Sequence, residues 1–302
     1  MLQSIANFGF GTLAGRTSHL PTNQVFRYHG EDGTALAGFV WRGAARPRAI
    51  VQLAHGAGEH AMRYREPLAP LLDAGYVIYT ADHRGHGLTS GMSKLGQFGP
   101  GGVEAAIDDM AILSRLARAE NPGLPLVLLG HSMGAMFAQA YVYDHSQLID
   151  ALILSGTSGP GVRAAGSWNA AFANPRTEYD WLSRDSAEVD KYIADPFCGI
   201  RFDAPSDASL KVLRENTRRL EAAKRIRRGL PIYIFVGDAD PINANLTRLT
   251  PLVDAYRDAG LAVELKVYPG GRHEMLNETN RAEVVGDLLG WLDRAVGGRT
   301  ED

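Results

Sequence analysis

Short, wholly apolar runs recur along this chain, separated by stretches in which apolar residues return every three or four positions. Residues 49–53, 76–81, 126–129 and 151–154 are such runs. A strand without polar alternation is one buried on both faces. The intervening stretches near 63–74, 102–119 and 133–145 read as helices. Residues 232–236 and 263–267 resume the strand pattern, with helical stretches near 246–259 and 280–295. Upstream, residues 25–29 and 34–41 flank "GEDG" and predict a hairpin. That makes eight strands alternating with helices, which implies a mostly parallel sheet with right-handed crossovers and helices on both faces.

The alternation fails between Gly156 and Gly229, a stretch rich in Trp, Tyr, Arg and Asp. It is too long for a structureless loop. The expected organisation is a core of residues 1–155 and 230–302 with a helical insertion, 156–229, over the carboxyl ends of the strands, where open α/β sheets bind ligands. With 302 residues the chain buries a large core. A net charge of −3 gives no reason to expect nucleic acid. The single cysteine, Cys198, excludes an internal disulfide. The first twenty residues make a poor signal peptide and read as a loosely ordered end. No apolar run of membrane-spanning length occurs, so a cytoplasmic protein is expected.

Candidate chemistry centres on "GHSMG", residues 130–134. It matches G-x-S-x-G between a predicted strand and a predicted helix, the context in which a serine stands on a strained turn at a helix N-terminus. A hydroxyl needs a base, and the partners of such a serine follow in the order acid, then histidine. Only His145 and His273 lie after Ser132. His145 falls over three turns along the helix that Ser132 begins, which leaves His273, in the glycine-rich "YPGGRHEML". "PIYIFVGDADPIN" offers Asp238 and Asp240 as the acid. Asp240, further past the strand and just before Pro241, is better placed. The oxyanion of acyl transfer needs two N–H donors: Met133, after the nucleophile, and Ala57, between two glycines in "LAHGAGEH".

Together "HGAGEHAMRY", "ADHRGHGLTSG", "GHSMG", "GDADP" and "GGRHEMLNE" resemble the monoglyceride lipase and lysophospholipase branch of the α/β-hydrolase superfamily. The resemblance runs from about His55 to Glu278. It implies the α/β-hydrolase fold, a Ser132–Asp240–His273 triad with Ala57 and Met133 as oxyanion donors, and a mobile cap after the sixth strand. It favours Asp240 over Asp238, since the family acid lies three residues after the glycine. The cap sequence departs from that of the animal monoglyceride lipases, so their glycerol-binding pattern does not carry over.

The expected activity is carboxylic-ester hydrolysis through an acyl-enzyme, broad on short to medium acyl esters, with no metal or organic cofactor. Alternatives are a thioesterase or small-residue aminopeptidase on the same triad, or a non-catalytic binding protein of this fold. His131, Trp168, Phe172, Trp181 and Phe197 are the candidate substrate-binding residues. Glu59, His60, Asp82, His83, Arg84 and His86 lack metal-ligand spacing and read as hydrogen bonding that braces the oxyanion loop. Lys211 to Arg228 carries eight basic residues. It reads first as a solvated helix face, with weak contact to anionic lipid as the sharper alternative.

Overall fold

The computed structural model describes residues 11, 12, 24–160, 167–217 and 219–296. The end expected to be loosely ordered lies outside them, apart from the two-residue strand β1 (Gly11–Thr12). Eight longer strands follow: β2 (Gln24–His29), β3 (Ala35–Trp41), β4 (Ala49–Ala54), β5 (Tyr76–Ala81), β6 (Leu126–His131), β7 (Ala151–Ser155), β8 (Pro231–Gly237) and β9 (Ala262–Tyr268). Their order in one sheet is β1-β2-β3-β5-β4-β6-β7-β8-β9. β2 and β3 form the predicted hairpin, and β3 pairs antiparallel with β5. From β5 through β9 every pairing is parallel.

The apolar runs are explained by what covers each face. In β6, Leu126 and Leu128 face one core with Phe137 and Tyr141 of helix α4 (Met133–His145). Val127 and Leu129 face the other, with Leu288 and Leu292 of helix α8 (Arg281–Val296). Each such fully buried side chain contributes about 1.5–3 kcal/mol, so successive residues are all selected apolar. On the first face lie also α3 (Gly102–Glu120) and α7 (Thr250–Asp258); on the second lies α1 (Ala69–Asp73). β9 is the exception, a half-exposed edge strand whose polar residues alternate.

The helix expected near 63–74 is a 3-10 turn, Ala61–Tyr64, followed by the short α1. Pro67 lies in the break between the two, and Pro70 sits in the first turn of α1, the helix position that tolerates a residue without an N–H. A short helix, α2 (Gly87–Ser90), follows β5.

Between β7 and β8 the described residues carry no strand. They form a 3-10 turn (Trp168–Ala171), α5 (Ser186–Ala194), α6 (Ala204–Thr217) and a second 3-10 turn (Leu220–Arg225). The basic run 211–228 is therefore spread over two elements rather than one helix. Leu210 and Leu213 of α6 are buried in the core shared with α3 and α4. Lys211 pairs with Asp207, and Arg225 with Asp144 of α4.

Candidate active site

Strand order reverses around β4, since β5 lies on one side of it and β6 on the other. Loops leaving β4 and β6 therefore part at their carboxyl ends and open a crevice. Ser132 stands there, between β6 and α4, with φ 54° and ψ −114°. A non-glycine residue in this region costs on the order of 1–3 kcal/mol and persists only when its surroundings hold it. Two hydrogen bonds do so: Ser132 N–H donates to the Ser155 carbonyl (3.0 Å), and the Ser132 carbonyl accepts from Met136 N–H (3.1 Å).

His273 is buried, and its Nδ1 donates to Asp240 Oδ2 at 2.8 Å. That bond puts the proton on Nδ1 and leaves Nε2 as the basic nitrogen. Asp240 is in turn held by Ile242 N–H, which donates to Oδ1 (2.8 Å). Asp238 is occupied elsewhere, accepting from Gly270 N–H (2.7 Å) in the turn after β9. The two aspartates thus have separate jobs. Burial alone would lower the pKa of His273, but the Asp240 carboxylate, with Glu274 and Glu59 behind it, raises it above its ordinary value. His131 is different. Burial first, then the neighbouring His273, pulls its pKa down to about 3, so it is a neutral ring 4.8 Å from that of His273.

The loop after β4 is braced from beneath. Gly56 N–H donates to Glu59 Oε1 (2.5 Å) and Gly58 N–H to His86 Nε2 (3.3 Å). His83 N–H donates to His55 Nε2 (3.0 Å), and Asp82 accepts from Ala61 and Leu88. A backbone N–H only donates, so His55 and His86 must carry their protons on Nδ1, where each meets a carbonyl, of Gly56 and Arg84 respectively. Burial, with neighbouring imidazoles, holds His83 near a pKa of about 3; burial holds His86 near about 4. His55 and His86 are fixed acceptors, while the His83 ring packs between the His55 and Phe137 rings. With the Gly56 and Gly58 N–H groups engaged, Ala57 lies between them on the cavity wall. His60 departs from the expected bracing role, because its Nε2 meets Asp195 of the insertion at 2.9 Å.

Ser132, Met133, Ala57, His273 and His131 line a single cavity of about 500 Å³. Trp168 and Trp181 from the insertion close it, and the Trp181 ring lies 4.9 Å from that of His273. Phe172 and Phe197 do not line it. Phe172 stacks under the Arg272 guanidinium (4.4 Å), and Phe197 packs edge-on against His60 (6.0 Å). Both are drawn to a charged or polar ring partner outside the cavity, a choice that residue type alone does not announce.

Sequence reasoning missed the ion group behind the site. The guanidinium of Arg63 donates to Glu59 (2.5 Å) and bidentately to Glu274 (2.7 Å each). All three are buried. Burial works against the Glu274 carboxylate, but Arg63 overrides it and holds its pKa at about 2. The available signal was Glu274 standing next to His273, and Arg63 four residues past Glu59. Leu210, Lys211, Arg214, Glu215 and Ile242, also on the cavity wall, were missed as well.

Residues 45–280 match the family described as "Serine aminopeptidase, S33". The chain is 31% identical to a monoacylglycerol lipase of Mycolicibacterium smegmatis, over 90% of this chain and 97% of that one. It is 29% identical to the human monoglyceride lipase over 89% of each. Among solved structures, a highly thermostable carboxyl esterase from Bacillus coagulans, in complex with glycerol, superposes with a TM-score of 0.86 at 28% identity. That match covers 92% of this chain and 100% of the esterase. The chain belongs to the serine aminopeptidase S33 family of α/β-hydrolases, in its monoglyceride lipase-like branch.

Proposed function

We propose that this serine ester hydrolase of the monoglyceride lipase type cleaves monoacyl esters, monoacylglycerols among them, through Ser132, His273 and Asp240. The observation that carries the reading is the His273–Asp240 hydrogen bond facing a strained Ser132 across one cavity. Ser132 Oγ attacks the ester carbonyl while His273 Nε2 takes its proton, and Asp240 stabilises the resulting imidazolium. The tetrahedral oxyanion accepts from the N–H groups of Ala57 and Met133, each typically worth about 2.7–4 kcal/mol of barrier. On collapse, His273 returns the proton to the leaving alcohol. Water then attacks the acyl-serine by the same route and frees the acid.

An aminopeptidase would need a carboxylate pair free to hold the substrate's amine. Of the acids on the cavity wall, Glu59 and Glu274 are committed to Arg63, which leaves Glu215 beside Lys211 and Arg214. This arrangement favours esters. The residues between β7 and β8 act as a cap, and the two tryptophans shape a slot for one acyl chain. A cavity of about 500 Å³ is of single-ligand size. Weak contact with an anionic lipid surface through the eight basic residues of the 211–228 stretch is part of this reading.

The test is kcat/KM across nitrophenyl esters from acetyl to palmitoyl, with monoacylglycerols, a triolein emulsion and aminoacyl nitroanilides alongside. Expected are ester activity peaking at short to medium chains, little action on triolein or anilides, and loss of fluorophosphonate labelling in Ser132→Ala. A preference for anilides, or a steady rise to the longest chain with strong triolein hydrolysis, would refute the proposal.

A further inference from the structure

Behind the catalytic cavity lies a second one, of about 590 Å³, between the turn at Ala61–Tyr64, α5 and α8. His60 and Asp195 stand on its wall. With Cys198 they bring one imidazole nitrogen, one carboxylate oxygen and one thiol sulfur within 4.8 Å of one another. None of the three serves the triad. We propose that His60, Asp195 and Cys198 bind a zinc-class divalent cation, which joins the loop carrying Ala57 to the insertion.

Four features support this. The donor set is borderline to soft, the chemistry that selects zinc over magnesium or calcium. A tetrahedral ion with bonds of about 2.0–2.3 Å wants ligand atoms roughly 3.3–3.8 Å apart. The cluster reaches that spacing by small side-chain rotations, since His60 Nε2 and Asp195 Oδ2 now stand 2.9 Å apart. Asp195 and Cys198 come from one tight turn, "DPFC", in which Phe197 N–H fixes Asp195 Oδ1 (2.8 Å) and Cys198 N–H bonds to the Asp195 carbonyl (3.0 Å). Two ligands are thus carried on one fixed turn, and Asp195 Oδ2, now paired with His60 Nε2, would exchange that hydrogen bond for a bond to the metal. Last, the cavity gives an entry path and room for a water as fourth ligand. On binding, the Cys198 thiol gives its proton to solvent and its sulfur to the ion, while the proton His60 Nε2 now shares with Asp195 is exchanged through solvent to Nδ1, which frees Nε2 and Asp195 Oδ2 for the ion.

The experiment uses the full chain stripped with chelator. Zinc is titrated by calorimetry and by thermal melts, with magnesium as control, against Cys198→Ser, His60→Gln and Asp195→Asn. Expected are one zinc per chain, no magnesium binding, a Tm that climbs with zinc, and affinity at least tenfold weaker in each variant. Cobalt should give a near-ultraviolet thiolate charge-transfer band that disappears in Cys198→Ser, a variant conservative enough to fold. Equal zinc affinity in wild type and all three variants would overturn the proposal. So would a cobalt complex lacking the thiolate band, or zinc binding that survives His60→Gln and vanishes in His273→Ala, which would put the ion on the triad.

Discussion

Consider a single methyl group added at Gly134. A Cβ built there would lie 2.1 Å from the Ala54 carbonyl oxygen, 2.5 Å from its carbon and 2.6 Å from the His55 carbonyl oxygen. Ordinary contact begins near 3.4 Å, and all three obstacles are backbone at the end of β4. No rotamer relieves the overlap, so α4 and β4 must part by about 1 Å. Overpacking of this kind costs about 1–3 kcal/mol, which lowers Tm by roughly 2–5 °C for a chain of this length. The catalytic effect should be larger. In the proposed mechanism the amide of Met133, one residue before Gly134, lies within hydrogen-bond distance of the developing oxyanion, and that of Ala57 comes from the β4 side. Moving the two donors apart by about 1 Å predicts a loss of roughly 10²-fold. Because the oxyanion exists only in the transition state, the loss belongs in kcat, with KM little changed. The assay is steady-state hydrolysis of a nitrophenyl butyrate by Gly134→Ala, with a melt of the same sample. Gly286→Ala is the control: a Cβ there meets nothing within 4 Å, and it sits inside α8, so about 0.8–1.0 kcal/mol of helix propensity should be gained with kcat unchanged. Wild-type kcat in Gly134→Ala, or a Tm loss with no kcat loss, would refute the reasoning.

Asp240→Asn should lower kcat by on the order of 10³–10⁴-fold by spoiling the His273 tautomer, whereas Asp238→Asn, whose partner is the Gly270 amide, should stay within about twofold; equal losses would reassign the acid. The base must be neutral to accept a proton, so kcat/KM should rise with pH and level off above the pKa of His273. Because that pKa is raised, burial notwithstanding, by Asp240, the inflection should fall above 6.5, the ordinary value for histidine. A pH–rate profile with its inflection below 6 would contradict the geometry.

The core was legible because each strand buried on both faces must be apolar throughout, and helices starting at a strained turn have sharp beginnings. Helix α4 spans Met133–His145, the same residues the pattern marks. Ser132 was legible because two glycines and a strand-to-helix switch surround it. The choice between Asp238 and Asp240 rested on distance past the strand and on the family resemblance; in the structure Asp240 meets His273 and Asp238 meets the Gly270 amide. What was illegible is long-range. Arg63 and Glu274 are 211 residues apart, and no local pattern connects them. Phe172 and Phe197 share the aromatic character of Trp168 and Trp181 but not their direction, and direction is set by the partners each ring meets after folding. His60 and Arg84 were grouped with Glu59 and His86 by closeness in sequence, yet His60 meets Asp195 and Arg84 meets Asp32 and Asp109, while Glu59 and His86 hold the loop.

The hydrogen bonds of residues 179–199 bear on how such an enzyme is remodelled. Trp181 and Leu182 accept from the backbone of His273 and Glu274. Tyr192 and Gly199 both donate to the Gly58 carbonyl, and Arg184 grips Glu278. In chain order this segment is part of the insertion, but mechanically it is a bracket on which His273 and the loop at Gly58 both hang. A graft that exchanged everything between β7 and β8 would discard that bracket together with the substrate slot. Residues 179–199 should be left in place, and so should Leu210 and Leu213 of α6, which pack into the core with α3 and α4.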